Sequence, residues 1–445
     1  MFNMRVISKE EIKKTQKAYD KSKTQLVLRR ALNRNSLANI ANNMETCQKS
    51  TMKFSIDIKT LKATAQKSTG RCWIFAGCNV LREIVAKKLQ LENFEFSQNY
   101  IAFWDKFEKA NYYLETIMEL IDRDYDDRVF AHLTSRPIQD GGQWDMFVNI
   151  VQKYGLMPKD AMPETFQSSN TATMNQIISR RLRKFTARAQ KLYKAGQKEE
   201  LMREKDKALK EIYFLLNSCF GRIPESFKFE YVDKDQNYHC EENLTPHSFY
   251  EKYVGLDLDD YISIINAPTE DKPFNKTYTI QYLGNVVGGK PIHYLNLEME
   301  EFKEAVLKQL KAQEPVWFGS DCGKAGDRSN GIWDDEAFSY DEVLEMDLEM
   351  CKACSLNYRE SAMNHAMVIT GVNLVRGKPN RWKIENSWGE EAGSKGYFVM
   401  TDSWFDKYVY QAVINKKYLT EAQQKAVEQK PIVLKPWDPM GTLAI

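Results

Sequence analysis

The sequence predicts an α+β fold, because helix-compatible segments fill its first part and β-rich runs gather in its second. Up to about residue 217 the apolar residues fall in long segments bounded by helix-capping residues. After about residue 260 they form short runs rich in Val, Ile, Tyr and Trp, bounded by Gly or Pro. A length of 445 residues allows two or three average domains, or one core with large insertions. With 43% hydrophobic and 28% charged residues, the chain has material for a real core and lies far from the disordered class.

Residues 1–60 read as an arm, with a charged helical opening from Glu10 to Leu28 followed by the polar stretch N-R-N-S-L-A-N-I-A-N-N. The first residues, M-F-N-M-R-V-I-S-K-E-E-I-K-K, carry charges where a signal peptide needs a continuous apolar region, so a cytosolic location is expected. No apolar run approaches the roughly 18 residues of a membrane span. From Cys72 to about Leu91 the chain is helix-compatible, and its first turns, W-I-F-A-G-C-N-V-L, are apolar nearly all round and therefore expected to be buried. Ser97 is a candidate N-cap for a helix over residues 96–122. The stretch D-G-G-Q-W-D at 140–145 reads as a Gly-Gly turn leading into a further helix, for which Gly155 is the C-cap.

From Asn170 to about Asn217 the sequence is helical and basic, with twelve Lys or Arg against four acids between residues 180 and 210. A solvated helical face is the expected reading, with a polyanion surface as the alternative. The whole chain carries only +2, so no global field argues for nucleic acid or membrane. The β-like runs are Y-T-I-Q-Y-L-G-N-V-V, P-V-W-F-G-S, H-A-M-V-I-T-G-V, R-W-K-I-E-N-S-W-G and G-Y-F-V-M-T-D-S-W. Eight cysteines in a chain of this length are expected to be thiols. One C-x-x-C, Cys351 and Cys354, has neither a second such pair nor an H-x₃₋₅-H to complete a zinc site, so no metal is assigned.

The chemistry is carried by Q-K-S-T-G-R-C-W-I-F, where a flexible Ser-Thr-Gly turn precedes a cysteine that opens an apolar helix. A thiol at a helix N-terminus sits where the dipole and unpaired N–H groups favour thiolate, the nucleophilic form. A nucleophilic thiol needs a base, an orienting group for that base and donors for the oxyanion. Of five histidines only His365 opens an apolar run, N-H-A-M-V-I-T-G-V, which reaches the turn-like R-G-K-P-N and returns as R-W-K-I-E-N. Read as an antiparallel hairpin turning near residue 376, this brings Asn386 to the end of the sheet that holds His365. An asparagine there can hold one ring nitrogen and leave the other for the thiol. Trp388 would cover that bond. Gln66, six residues before Cys72, can aim its amide at the oxygen that the Cys72 backbone N–H also faces.

The ordered set Q-K-S-T-G-R-C-W, D-G-G, N-H-A-M-V-I-T-G-V and E-N-S-W-G-x₆-G-Y-F resembles the papain-like cysteine peptidases. Arg71 stands where Ser or Ala is usual, and Cys72 and His365 lie much further apart than the usual 130–150 or so positions. Both departures, together with the closing K-P-W-D-P-M-G-T-L-A-I, resemble the bleomycin hydrolase or aminopeptidase C branch nearly end to end. The resemblance implies a papain-like fold with an N-terminal arm (1–60), a helical half bearing the nucleophile (61–170), a basic helical insertion (171–260), a β-rich half with His and Asn (261–430) and a tail in the active-site cleft (431–445). It implies Cys72 as nucleophile, His365 as general acid/base, Asn386 as its orienter and Gln66 as oxyanion donor. Gly141 and Gly142 would bind substrate through their backbone in an extended manner.

The resemblance further implies that the terminal carboxylate accepts the free amine of the substrate, which sets aminopeptidase specificity. A tail in its own cleft is itself a candidate substrate, so removal of Ile445 would leave Ala444 as the working terminus. A homohexamer enclosing its active sites, substrates that are peptides, amino-acid amides and bleomycin-like amides, and no metal or organic cofactor complete the expectation. The alternatives are a thiol endopeptidase and a nucleic-acid-binding protein that keeps a peptidase fold.

Overall fold

The computed structural model describes residues 4–443, so Ala444 and Ile445, the two expected substrate-binding residues of the tail, lie outside the described residues. The arm begins with α1 (Lys9–Lys21), capped by Ser8 and Glu11 in a reciprocal box, and α2 (Lys23–Leu32), capped by Ser22. The polar stretch that follows forms two short helices, α3 (Leu37–Ala41), capped by Ser36, and α4 (Met44–Lys49), where Asn43 accepts the Thr46 N–H, so local caps outweigh its loop-like composition.

The nucleophile-bearing half is built from α5 (Cys72–Leu89), α6 (Gln98–Glu119), α7 (Arg128–Ser135) and α8 (Trp144–Tyr154). Ser97 caps α6 by accepting the Tyr100 N–H, and Gly155, at φ 73°, closes α8. Residues 72–79 are all buried, because the first two turns of α5 pass between the other helices and the sheet and every face of them meets protein. Gly141 and Gly142 do not form the expected Gly-Gly turn, and neither takes a positive φ; the stretch is buried backbone, with Gly142 pressed against Trp73. A Cβ on Gly142 would stand 2.4 Å from the Trp73 ring, so only glycine permits that approach.

The insertion is an antiparallel pair, α9 (Ala172–Lys194) and α10 (Lys198–Phe220), followed by a hairpin. Two arginines of α9 pair with acids of α10: Arg181 with Glu204 and Glu211, and Arg188 with Glu200 and Glu204. Much of the positive charge thus serves the packing of one helix on the other.

The strands are β1 (Ile56–Asp57), the insertion hairpin β2 (Phe227–Val232) and β3 (Tyr238–Leu244), then β4 (Tyr261–Ile265), β5 (Thr277–Ile280), β6 (Tyr294–Asn296) and β7 (Val316–Ser320). After them come β8 (Gly326–Asp327), β9 (Ile332–Trp333), β10 (His365–Val375), β11 (Lys378–Glu385), β12 (Tyr397–Thr401), β13 (Val409–Asn415) and β14 (Ile432–Leu434). All but β2 and β3 belong to one sheet, in the order β14-β5-β6-β4-β13-β7-β10-β11-β12-β9-β8, with β1 also paired to β10. Two runs end sooner than expected. Y-T-I-Q-Y-L-G-N-V-V is strand only to Ile280, since Tyr282 takes φ 59° and turns the chain. In Y-F-V-M-T-D-S-W, Thr401 accepts the Trp404 N–H and starts a helix over Asp402–Tyr408. The β-rich half also holds a helix at Met299–Lys311, whose apolar face packs Phe302, Val306 and Leu310 beneath the sheet. The hairpin β10–β11 turns at Arg376 and Gly377, both at positive φ as a tight two-residue connection requires.

Candidate active site

Helix α5 packs against β10, so the helix N-terminus meets the start of the strand where His365 stands. Cys72 is the first residue of α5 and fully buried, and its Sγ accepts the backbone N–H of Ala366 at 3.4 Å. That contact ties the thiol to the residue next to His365. Burial pushes the Cys72 thiol up to about 12, against the N–H groups of Ala366, Trp73 and Cys72 itself, which favour thiolate; the Asp140 carboxylate adds a smaller upward push. At rest the sulfur is therefore a thiol, with donors already aimed at the thiolate it becomes.

His365 begins β10 opposite Ser320 of β7 and is buried. Its Nε2–H donates to Asn386 Oδ1 at 2.8 Å. The same oxygen accepts the Ser387 N–H at 2.8 Å, which fixes it as the acceptor end of the amide and leaves His365 Nδ1 as the basic nitrogen. Burial lowers the His365 pKa to about 4; the Asn386 bond works the other way and the Arg328 charge adds to the lowering. Trp388 stacks on the imidazole at 5.1 Å between centroids.

Gln66 lies on a segment that runs antiparallel to 387–389, with Gln66 N–H donating to Ser387 O at 2.8 Å and Gly389 N–H to Thr64 O at 2.9 Å. Its Oε1 accepts the Ser387 hydroxyl at 2.6 Å and its Nε2 donates to Thr69 O at 2.5 Å. The amide is thus held at both ends with one Nε2 hydrogen to spare. The N–H groups in the first turn of α5 lack intrahelical acceptors, so the Cys72 N–H is the natural second donor. The structure brings Cys72, His365, Asn386 and Gln66 to one place where the two halves meet.

Three residues of this region act through partners that the sequence does not reveal. Asp140 accepts the Gly70 N–H at 3.0 Å, Lys106 Nζ at 2.5 Å, Asn175 Nδ2 at 2.9 Å and the Thr171 hydroxyl, while its carbonyl accepts Trp73 Nε1–H at 2.8 Å. Burial opposes its charge, but the Lys106 ammonium and these hydrogen bonds hold its carboxyl well below the usual carboxylate range. It fixes the turn before Cys72 to α6 and to the insertion. Arg71, the departure from the usual motif, makes a forked pair with Glu164 at 3.0 and 2.9 Å and is buried, so it braces the same turn from below.

Gln143, next to Gly142, donates from Nε2 to Thr442 O at 2.8 Å. The tail reaches that point through β14 beside β5, a Lys272–Asp438 ion pair at 3.0 Å, Arg128 over the Trp437 ring, and the Tyr294 hydroxyl on Met440 O. Behind it lies a cavity of about 560 Å³ between the tail and α6–α7. Cys351 and Cys354 stand apart from the site, at the start of a short surface helix (Lys352–Asn357).

A helix-borne thiol, an imidazole held by an asparagine at the end of a central strand and a glutamine amide beside them define a papain-like cysteine peptidase. The model of the Peptidase C1-like family matches residues 6–441, and the chain belongs to that family. It is 48% identical over 395 residues to aminopeptidase C of Lactobacillus delbrueckii subsp. lactis, covering 88% of each chain. It is 48% identical over 392 residues to aminopeptidase C of Listeria monocytogenes, again covering 88% of each. Aminopeptidase G of Lactobacillus delbrueckii subsp. lactis is 39% identical over 415 residues, covering 93% of this chain and 94% of that one. The crystal structure of PepW from Lactobacillus rhamnosis HN001 superposes with a TM-score of 0.96 at 45% identity, covering 99% of both chains.

Proposed function

We propose that the protein is a cysteine aminopeptidase that releases N-terminal residues from peptides and amino-acid amides through a thioester. His365 Nδ1 takes the Cys72 proton as the sulfur attacks the first carbonyl, whose oxygen lies between the Gln66 amide and the Cys72 N–H. The imidazolium then gives its proton to the departing amine. Water, deprotonated by the same nitrogen, cleaves the thioester and restores the thiol. Removing one oxyanion donor of this kind typically costs about 10²–10³ in rate.

The observation that carries the exopeptidase reading is the tail. Thr442, three residues from the C-terminus, is held by Gln143 beside the backbone of Gly141 and Gly142. A terminal carboxylate brought into the cleft pairs with a substrate ammonium and is left unpaired by a blocked amine. Release of a fluorophore from an aminoacyl amide and from its N-acetylated twin, by wild type and Cys72→Ala, tests this. Cleavage of the free-amine substrate alone, lost in the variant, is expected; equal cleavage of both would make the enzyme an endopeptidase, and activity surviving in the variant would overturn the mechanism.

The same reading includes bleomycin-like amides among the substrates, a cytosolic location and a hexamer enclosing the sites. Trimming of Ile445 to expose Ala444 belongs to it too, and intact-mass spectrometry of the purified protein showing Ile445 retained would remove that step. The internal pairing of the arginines of α9 works against the polyanion alternative.

A further inference from the structure

The tail crosses the site on the side of Gly142 and Gln143, so whatever leaves from Cys72 must depart on the other side, past His365 and Trp388. An arginine stands there. The Arg328 guanidinium lies 4.9 Å from the centre of the Trp388 ring, which itself stacks on the imidazole. Arg328 is exposed and has no carboxylate partner among the described residues. The nearest acids in sequence are engaged elsewhere. Asp327 accepts the Ser329 hydroxyl at 2.6 Å, the Asn330 N–H at 3.1 Å and the Asn330 amide at 2.7 Å, Asp334 accepts the Glu336 N–H at 3.0 Å, Asp335 pairs with Lys407 at 2.7 Å, and Asp321 is held by Ser361 and Asn364.

The arginine is also firmly presented. It sits in the turn of the β8–β9 hairpin, which Gly326↔Trp333 and Asp327↔Ile332 pairing closes and β9–β12 pairing joins to the sheet. Gly326 has no side chain where a Cβ would strike the Trp333 ring at 2.8 Å, so the hairpin closes tightly over that buried indole. A guanidinium held over an indole face by a cation–π contact spends no N–H group on it, which leaves its donors for a carboxylate gripped by two parallel bonds.

We propose that Arg328 is a specificity-determining residue that binds a carboxylate on the first residue beyond the scissile bond. It would thereby favour dipeptides, in which that carboxylate is the C-terminus. The distances agree. Two ring contacts of about 5 Å each place the guanidinium up to roughly 10 Å from the imidazole centre. A leaving amine bonded to the imidazole, with its carboxylate two bonds further on and paired to a guanidinium about 4 Å away, covers the same span. An acidic side chain on that residue offers the same chemistry from a second source.

This inference rests on the aminopeptidase reading. The test compares kcat/KM for alanylalanine, alanylalanine amide and alanylglutamate amide in wild type, Arg328→Gln, Arg328→Lys and Arg328→Glu. Because each enzyme is judged by the ratio between its own substrates, a general loss of activity cancels. Wild type is expected to prefer alanylalanine over its amide about five- to tenfold, Arg328→Gln to bring the ratio close to one, Arg328→Lys to keep part of it and Arg328→Glu to invert it. A matching preference for alanylglutamate amide would extend the site to acidic side chains; its absence would assign the site to the C-terminal carboxylate alone. Equal ratios in wild type and Arg328→Gln would overturn this inference and leave the aminopeptidase reading standing, whereas no turnover of any of the three by wild type would overturn both.

Discussion

In the proposed mechanism Asn386 decides which nitrogen of His365 does the chemistry, through one oxygen that accepts both the ring Nε2–H and the Ser387 N–H. Burial keeps the imidazole neutral well below its ordinary value of about 6.5, and the Asn386 bond, which stabilises the charged ring, pulls that lowered value part of the way back. Activity therefore needs no proton removed from His365 in the neutral range. The acid limb of kcat/KM is expected nearer pH 4 than 6.5, and the sign for Asn386→Ala follows: losing a bond that raises the pKa moves the limb to lower pH. The rate at the optimum should fall about ten- to a hundredfold, since the ring is no longer aimed. A pH–rate profile of both proteins checks this, and an acid limb that rises in the variant would mean that Asn386 acts otherwise. At this scale Cys72, His365, Asn386 and Gln66 were legible because few His and Trp residues exist to supply the pattern. Ser387, Asp140 and Gln143 were not, because each acts through a partner 70 or more positions away, as in the Ser387–Gln66 bond across 321 residues.

Elements convert those contacts into a specificity. The N-terminus of α5 aims a thiol at β10, the start of α8 carries Gln143, and β14 lays the tail along β5 so that Thr442 meets that glutamine. Gln143 gives the last described turn of the tail its side-chain hydrogen bond to the helical half, beside the buried Leu443; the other anchors lie upstream at Trp437, Asp438 and Met440. Gln143→Ala leaves the Thr442 carbonyl without its donor, a cost of about 1–3 kcal/mol to the docked tail, and so raises the fraction of time the tail stands aside. Cleavage of an N-acetylated substrate relative to its free-amine twin is expected to rise about tenfold, whereas an unchanged ratio would show that the upstream anchors suffice. The long helices and the β10–β11 hairpin were legible from caps, periodicity and turn residues. The Met299–Lys311 helix was hidden because its charged face dominates the composition while only Phe302, Val306, Leu310 and their neighbours turn inward.

The whole molecule contains one region that its own core does not explain. Helices α1 and α2 bury no side chain, yet they display Ile12 and Val27 largely to solvent, as does the segment just before them with Val6, 86% exposed, and Ile7. Capping boxes and charged faces make these helices stable enough to form, but an apolar stripe left in water has no stabilising role within one subunit. A hexamer, as the family resemblance implies, would supply a surface for it, because a second subunit can cover what the first leaves bare. Removing the first 32 residues takes away no buried side chain described in these two helices, so the melting temperature of the subunit should hardly move. The mass in solution should fall from hexamer to smaller species by light scattering. If enclosure limits access, peptides too long to enter the assembled cavity should then be trimmed faster by the shortened protein than by the full chain, while short amides are trimmed equally by both. An unchanged mass would place the contacts between subunits elsewhere, and a collapsed melting temperature would make the arm part of the fold, since only a segment that stabilises nothing at home can be lost without cost to the subunit.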